Sequence, residues 1–168
     1  MTTPTPSPAH PLKAFIVQPG EGQLQMGPGG DKSYPKITAA QSGGLCSLTE
    51  HHVPPGAGPP LHVHAREDEA FWVLEGTVSF IVGGTVIEAK AGSCVFGPRG
   101  TPHTFRNRTN VWAKMLLIVT PPKNFEDFYA GISAPGADGG PPSDALVMER
   151  IGRLTPLHGI TILGPSPL

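Results

Sequence analysis

Two groups of side chains able to hold a cation stand about forty residues apart: His62-Val63-His64 with Glu69, and then His103. Alternate residues of a β-strand face one side and rise about 3.3 Å each, so an H-x-H pair aims two imidazoles at a common point. Glu69 and His103 supply a third and a fourth donor. Three neutral nitrogens and one carboxylate suit a single divalent first-row ion per chain, such as Fe, Ni, Co, Mn or Zn. Four donors do not complete an octahedron, which leaves room for a water or a substrate. The pattern predicts a reactive metal site. A lone histidine on a strand would not carry this reading, since most are ordinary polar or core residues.

The framing glycines and prolines add a second layer. From Gly56 the chain reads G-x5-H-x-H-x4-E-x6-G, and from Gly92 it reads G-x5-P-x-G-x2-H-x3-N. Both spacings are those of the cupins. The runs Pro59-Pro60-Leu61-His62-Val63-His64 and Glu67-Asp68-Glu69-Ala70-Phe71 resemble the quercetin dioxygenase-like, single-domain branch of that family. The likeness spans roughly residues 44–120. It implies an all-β fold, the cupin double-stranded β-helix or jelly-roll barrel, with the metal inside.

The resemblance also gives Glu69 a catalytic role, taking the proton of a substrate hydroxyl. A carboxylate able to leave the metal lies within reach of any group bound beside it. Of the acids Glu67, Asp68 and Glu69, the family spacing selects Glu69. Its neighbours are expected to be solvated or to pair with Arg66 or Arg99 at the surface. Pro98 and Gly100 are expected to shape the turn that delivers His103, and Asn107 to hydrogen-bond nearby backbone. His51 and His52 point to opposite strand faces, so at most one faces the interior, and an ordinary wall or surface role is expected for both. His10 and His158 carry no signal.

These side chains need strands to position them, and the composition supplies them. With 22 glycines and 21 prolines among 168 residues spread between short apolar runs, the chain reads as an all-β protein with many tight turns. Residues 1–12 are a proline-rich tail expected to be extended or disordered. Residues 13–120 form the barrel, with strands expected at 13–17, 34–40, 45–53, 70–74, 78–82, 85–89, 93–96, 103–106 and 111–120. Gly83-Gly84 between alternating runs signals a two-residue hairpin. Residues 121–168 are a helical extension. One helix is expected over 124–130 with Asn124 as N-cap, and another over 143–154 capped by Ser143 or Asp144, both packed outside the barrel.

Strand parity then predicts the cavity walls. Phe71 and Val73 share a face with Glu69, and Phe105 shares one with His103. Lys114 prefers water, so Met115 and Leu117 turn inward with Val119. Apolar walls above a polar metal are the pattern of a small-molecule site.

The net charge of −1 with no cluster of basic residues argues against a nucleic-acid partner or an anionic membrane surface. Cys46 and Cys94 are read as reduced packing residues. No signal peptide or membrane span is visible, so a soluble, cytoplasmic protein is expected. A homodimer is expected from the resemblance and from the need to cover sheet edges. Function divides three ways. The resemblance favours a dioxygenase acting, with O₂, on a flavonol-like or other enolised aromatic. An alternative is a non-oxidative cyclase, isomerase or decarboxylase of secondary metabolism that uses the metal as a Lewis acid. The third is a binding cupin without catalysis.

Overall fold

A computed structural model describes residues 12–168. Residues 1–11, most of the proline-rich tail and His10 with it, lie outside the described residues. Eleven strands and two α-helices follow in the order β1 (Gln25–Met26), β2 (Lys32–Ile37), β3 (Ser47–Val53), β4 (Leu61–His64), β5 (Asp68–Glu75), β6 (Thr77–Val82), β7 (Thr85–Lys90), β8 (Cys94–Gly97), β9 (His103–Arg106), β10 (Ala113–Thr120), α1 (Lys123–Ser133), α2 (Asp144–Leu154) and β11 (Ile160–Gly164). They form two antiparallel sheets, a six-stranded one ordered β1-β2-β3-β10-β5-β8 and a five-stranded one ordered β11-β4-β9-β6-β7. The sheets face each other as a jelly roll, and the core lies between them.

Strand periodicity decides which side chains fill that core. Along β10, Met115, Leu117 and Val119 are buried, whereas Ile118 between them is exposed. Phe71, Phe80 and Phe105 meet as an aromatic trio with ring centroids 5.2–5.9 Å apart. The β6–β7 hairpin turns at Gly83 and Gly84 with φ of 56° and 83°. Both angles are needed for a turn matching the strand twist, and glycine supplies them without strain. Gly58 is required for a different reason: a Cβ there would stand 2.0 Å from the Phe105 carbonyl oxygen.

Several expectations need correction. Residues 13–17 form no strand and pair with neither sheet, and Ile16 is 76% exposed. The second strand ends at Ile37, short of Ala40. The short strands β1 and β11 went unforeseen, and β11 lies within the segment read as helical extension, pairing with β4 from His64 to Leu61. The first helix begins one residue earlier and runs three longer than expected. Pro122 stands at its N-cap without a side-chain bond, and Asn124 lies inside the first turn. The second helix is capped by Ser143, whose Oγ accepts from the Leu146 N–H. Asp144 instead accepts from the Gly29 N–H at 2.6 Å. Both cysteines are free, but Cys94 is exposed and so is no buried packing residue.

Candidate metal centre

His62 and His64 leave one face of β4, and their rings lie 5.0 Å apart. His103 on β9 is the register partner of His62, which brings those rings to 4.5 Å. All three come from the five-stranded sheet, and Glu69 reaches across from β5 of the other sheet. Its Oε2 stands 2.7 Å from His103 Nε2 and 3.8 Å from His64 Nε2. One donor atom from each residue falls within 4.8 Å of the others. His64, Glu69 and His103 are buried, and His62 is partly exposed.

Each imidazole is anchored through its other nitrogen. Nδ1 of His62 donates to the Pro60 carbonyl at 2.9 Å, and Nδ1 of His103 to the Thr101 carbonyl at 2.8 Å. Nδ1 of His64 donates to the Glu67 carboxylate at 3.2 Å. All three Nε2 atoms are thereby turned toward one point, the tautomer and orientation that a metal ligand needs. Glu67 was expected at the surface. It is buried and held by the Asn124 amide, which also donates to the His158 carbonyl at 2.8 Å. Its neighbour Asp68 does pair with Arg99, with Nη2 to Oδ2 at 2.7 Å, and this fixes the Pro98–Gly100 turn ahead of His103. Asn107 Nδ2 donates to the carbonyls of Val53 and Val111.

The electrostatics follow from this packing. Burial, and then the charge on His103, pulls His62 down to about 3, so it stays a neutral donor. Burial pushes the Glu69 carboxyl up, but His64, His103 and His62 around it overcome that and hold it at about 2. Burial opposes charge on His103 too, yet its bond to Glu69 prevails and raises it. A divalent cation among these atoms would take the place of the proton His103 shares with Glu69. Three imidazoles with anchored Nδ1 atoms and an ionised carboxylate fit a first-row metal.

Residues 49–119 match the cupin domain family. The fold is a cupin barrel. The uncharacterized protein MJ1618 of Methanocaldococcus jannaschii is 36% identical over 81 residues, covering 48% of this chain and 65% of that protein. The tetracenomycin polyketide synthase protein TcmJ of Streptomyces glaucescens is 28% identical over 87 residues, covering 52% and 56%. The chain thus spans less than two thirds of the length of either curated relative. Among solved structures, KdgF from Halomonas superposes with a TM-score of 0.59 at 16% identity, covering 68% of this chain and 98% of that one.

In this cupin barrel a cavity of about 70 Å³ is lined by three of the four donors, His62, His64 and Glu69. Phe71, Phe105 and Leu117 line it as parity predicts, but Val73 and Met115 do not. Those two are fully buried in the core beside it. The two helices lie outside the sheets as expected, and their apolar faces, with Phe125, Phe128 and Ile132 of α1 and Ile151 of α2, also line the cavity. His51 is the inward member of its pair and sits on the cavity wall with Asp31 and Tyr129. His52 turns outward to Glu50 at 2.6 Å. Strand parity with buried Val53 could have identified His51. Asp31, in a glycine-rich stretch with no periodicity, gave no signal. Among the described residues no helix is long and apolar enough to cross a membrane.

Proposed function

We propose that the chain is a metal-dependent enzyme that moves a proton on a small enolisable carbonyl compound without net oxidation. One observation carries this: His62, His64 and Glu69 line an otherwise mostly apolar cavity, and together with His103 their donor atoms lie within 4.8 Å of one another. A divalent ion held there would act as a Lewis acid, polarising a carbonyl oxygen and easing loss of the neighbouring proton. Glu69, ionised and beside the bound oxygen, accepts a proton from a substrate hydroxyl or α-carbon. Phe71, Phe105 and Phe125 exclude water and bind an apolar ring. The likeness to TcmJ supports a polyketide-type carbonyl as the substrate class. About 70 Å³ holds roughly two waters, so a longer substrate enters only if α1 and α2 shift outward.

A second reading, a dioxygenase for a flavonol-like or other enolised aromatic, is supported by the spacing of His62, His64, Glu69 and His103 and shares the first deprotonation. The two differ in oxygen. In the first reading, protein loaded with iron, nickel, cobalt or manganese exchanges the α-proton of 2-hydroxyacetophenone for deuterium under anaerobic conditions. In the second, it consumes one O₂ per quercetin and is inert without oxygen. Oxygen uptake matched to quercetin loss, with no anaerobic exchange, would overturn the first reading.

We also propose that two copies pair through the outer face of β5, β8 and β10. Trp72 and Phe96 are 49% and 57% exposed there, an apolar area that a second copy would cover.

A further inference from the structure

The cavity has a second polar wall that the metal centre does not use. Asp31, just before β2, and His51, on β3, are both buried, and Asp31 Oδ2 lies 2.7 Å from His51 Nδ1. Ser33 Oγ stands 3.0 Å from the same nitrogen and 3.2 Å from Asp31 Oδ2. The Tyr129 hydroxyl donates to Asp31 Oδ2 at 3.1 Å and sits 3.0 Å from Ser33 Oγ. All of these contacts except that between Tyr129 and Ser33 gather on Asp31 Oδ2 or on His51 Nδ1. A carboxylate there fixes the Nδ1–H tautomer and leaves the Nε2 lone pair free. His51 Nε2 is buried and has no hydrogen-bond partner among the described residues, and neither has Asp31 Oδ1.

A purely structural network of this kind would satisfy its buried atoms, because an unpaired buried nitrogen is costly. Here the unpaired nitrogen belongs to a cavity-lining side chain. A carboxylate behind a cavity-lining imidazole whose far nitrogen is unpaired is the arrangement of a general base held ready for use. The ring of Tyr129, edge-on to His51 with centroids 5.9 Å apart, locks the imidazole in place.

We propose that His51, oriented by Asp31, is a second proton-transfer residue acting on the substrate from the wall away from the four metal-binding side chains. The step balances without an oxidant. His51 Nε2 takes the proton as a substrate C–H bond breaks, and the electron pair remains on the substrate as its enolate. The imidazolium, stabilised by Asp31, returns the proton to a different substrate atom. Glu69 and His51 would then serve two positions of one molecule, as an isomerisation or ring closure requires. The ligand class is an enolisable carbonyl compound whose acidic C–H points away from the oxygens bound at the metal. This inference rests on the non-oxidative reading above.

The test uses the zinc-loaded full chain in D₂O with 2-hydroxyacetophenone as the probe, read by proton NMR. Wild type should deuterate the α-carbon. His51→Gln should slow exchange at least about 10²-fold while zinc stoichiometry and probe affinity stay unchanged. Asp31→Asn, which spoils orientation only, should lose less and shift the pH profile. Imidazole ¹⁵N spectra of the wild type provide a readout independent of turnover and of variant folding: His51 should show an unprotonated Nε2 that moves on adding the probe. Exchange that survives His51→Gln but is lost in Glu69→Gln would overturn this proposal and leave the proposed function standing. A His51 Nε2 resonance unmoved by saturating probe would overturn it as well. No exchange by the wild type would instead overturn the proposed function.

Discussion

Replacing Glu67 by alanine removes no metal donor, yet it should weaken the metal centre. The Glu67 carboxylate accepts the Nδ1 proton of His64 at 3.2 Å and so turns Nε2 toward Glu69. Losing an outer partner of this kind costs roughly 10- to 100-fold in metal affinity. A distance of 3.2 Å is at the long end for such a bond, which places the expected loss nearer 10-fold, about 1.4 kcal/mol. The same change deprives the Asn124 amide of one acceptor, although its bond to the His158 carbonyl at 2.8 Å remains. The apoprotein should therefore lose about 1 kcal/mol, the low end for an unsatisfied buried group. Glu67→Gln keeps an oxygen that can accept from His64 and should stay close to wild-type affinity. The assay is competition for zinc against a chromophoric chelator at constant pH, with Tm of each apoprotein measured alongside. A folded Glu67→Ala variant that binds zinc within about twofold of wild type would refute the orienting role.

Glu69→Gln should keep much of the metal, because three histidines remain, yet lower turnover by roughly 10²- to 10⁴-fold. Metal content and turnover measured on one preparation check this, and near wild-type turnover at full occupancy would end the proton-transfer role. For the apoprotein, Glu69 and His62 both have folded values below their ordinary 4.5 and 6.5, so the unfolded chain binds more protons and stability falls on acidification. His103 is raised and stabilises in the opposite direction, but between pH 4.5 and 3 it is charged in both states. In that window Tm should fall steadily as pH is lowered, and a flat Tm would contradict the picture of Glu69 and His62. Trp72→Glu should convert a dimer to a monomer by light scattering with metal content unchanged, and an unaltered mass would remove this face as the interface.

The candidate metal-binding side chains were legible in the sequence because strand alternation and the cupin-like spacing point to the same residues, the spacing selecting Glu69. Strand alternation aligns His62 with His64, and the turn at Pro98–Gly100 sets where His103 emerges. The β10 alternation was readable for the same reason, since Lys114 marks the wet face. Glu67 was misread because a charge among charges looks solvated, and only the bend after β4 turns it under α1. Val73 and Met115 have the right parity for the cavity but lie too deep in the core, a distinction that parity alone does not carry. The proton-transfer wall depends on Asp31, His51 and Tyr129 meeting from distant parts of the chain, a contact set by α1 docking and not by any local pattern. Residues 13–17 have a strand-like composition, but a strand needs a partner and this run pairs with neither sheet.

The central claim is that His62, His64, Glu69 and His103 together hold one metal ion. The direct measurement is elemental analysis of the purified full chain and of the His62→Ala/His103→Ala double variant, with circular dichroism to check that both are folded. The account predicts close to one equivalent of a first-row metal in the wild type and almost none in the folded double variant. A double variant that keeps one equivalent would contradict it.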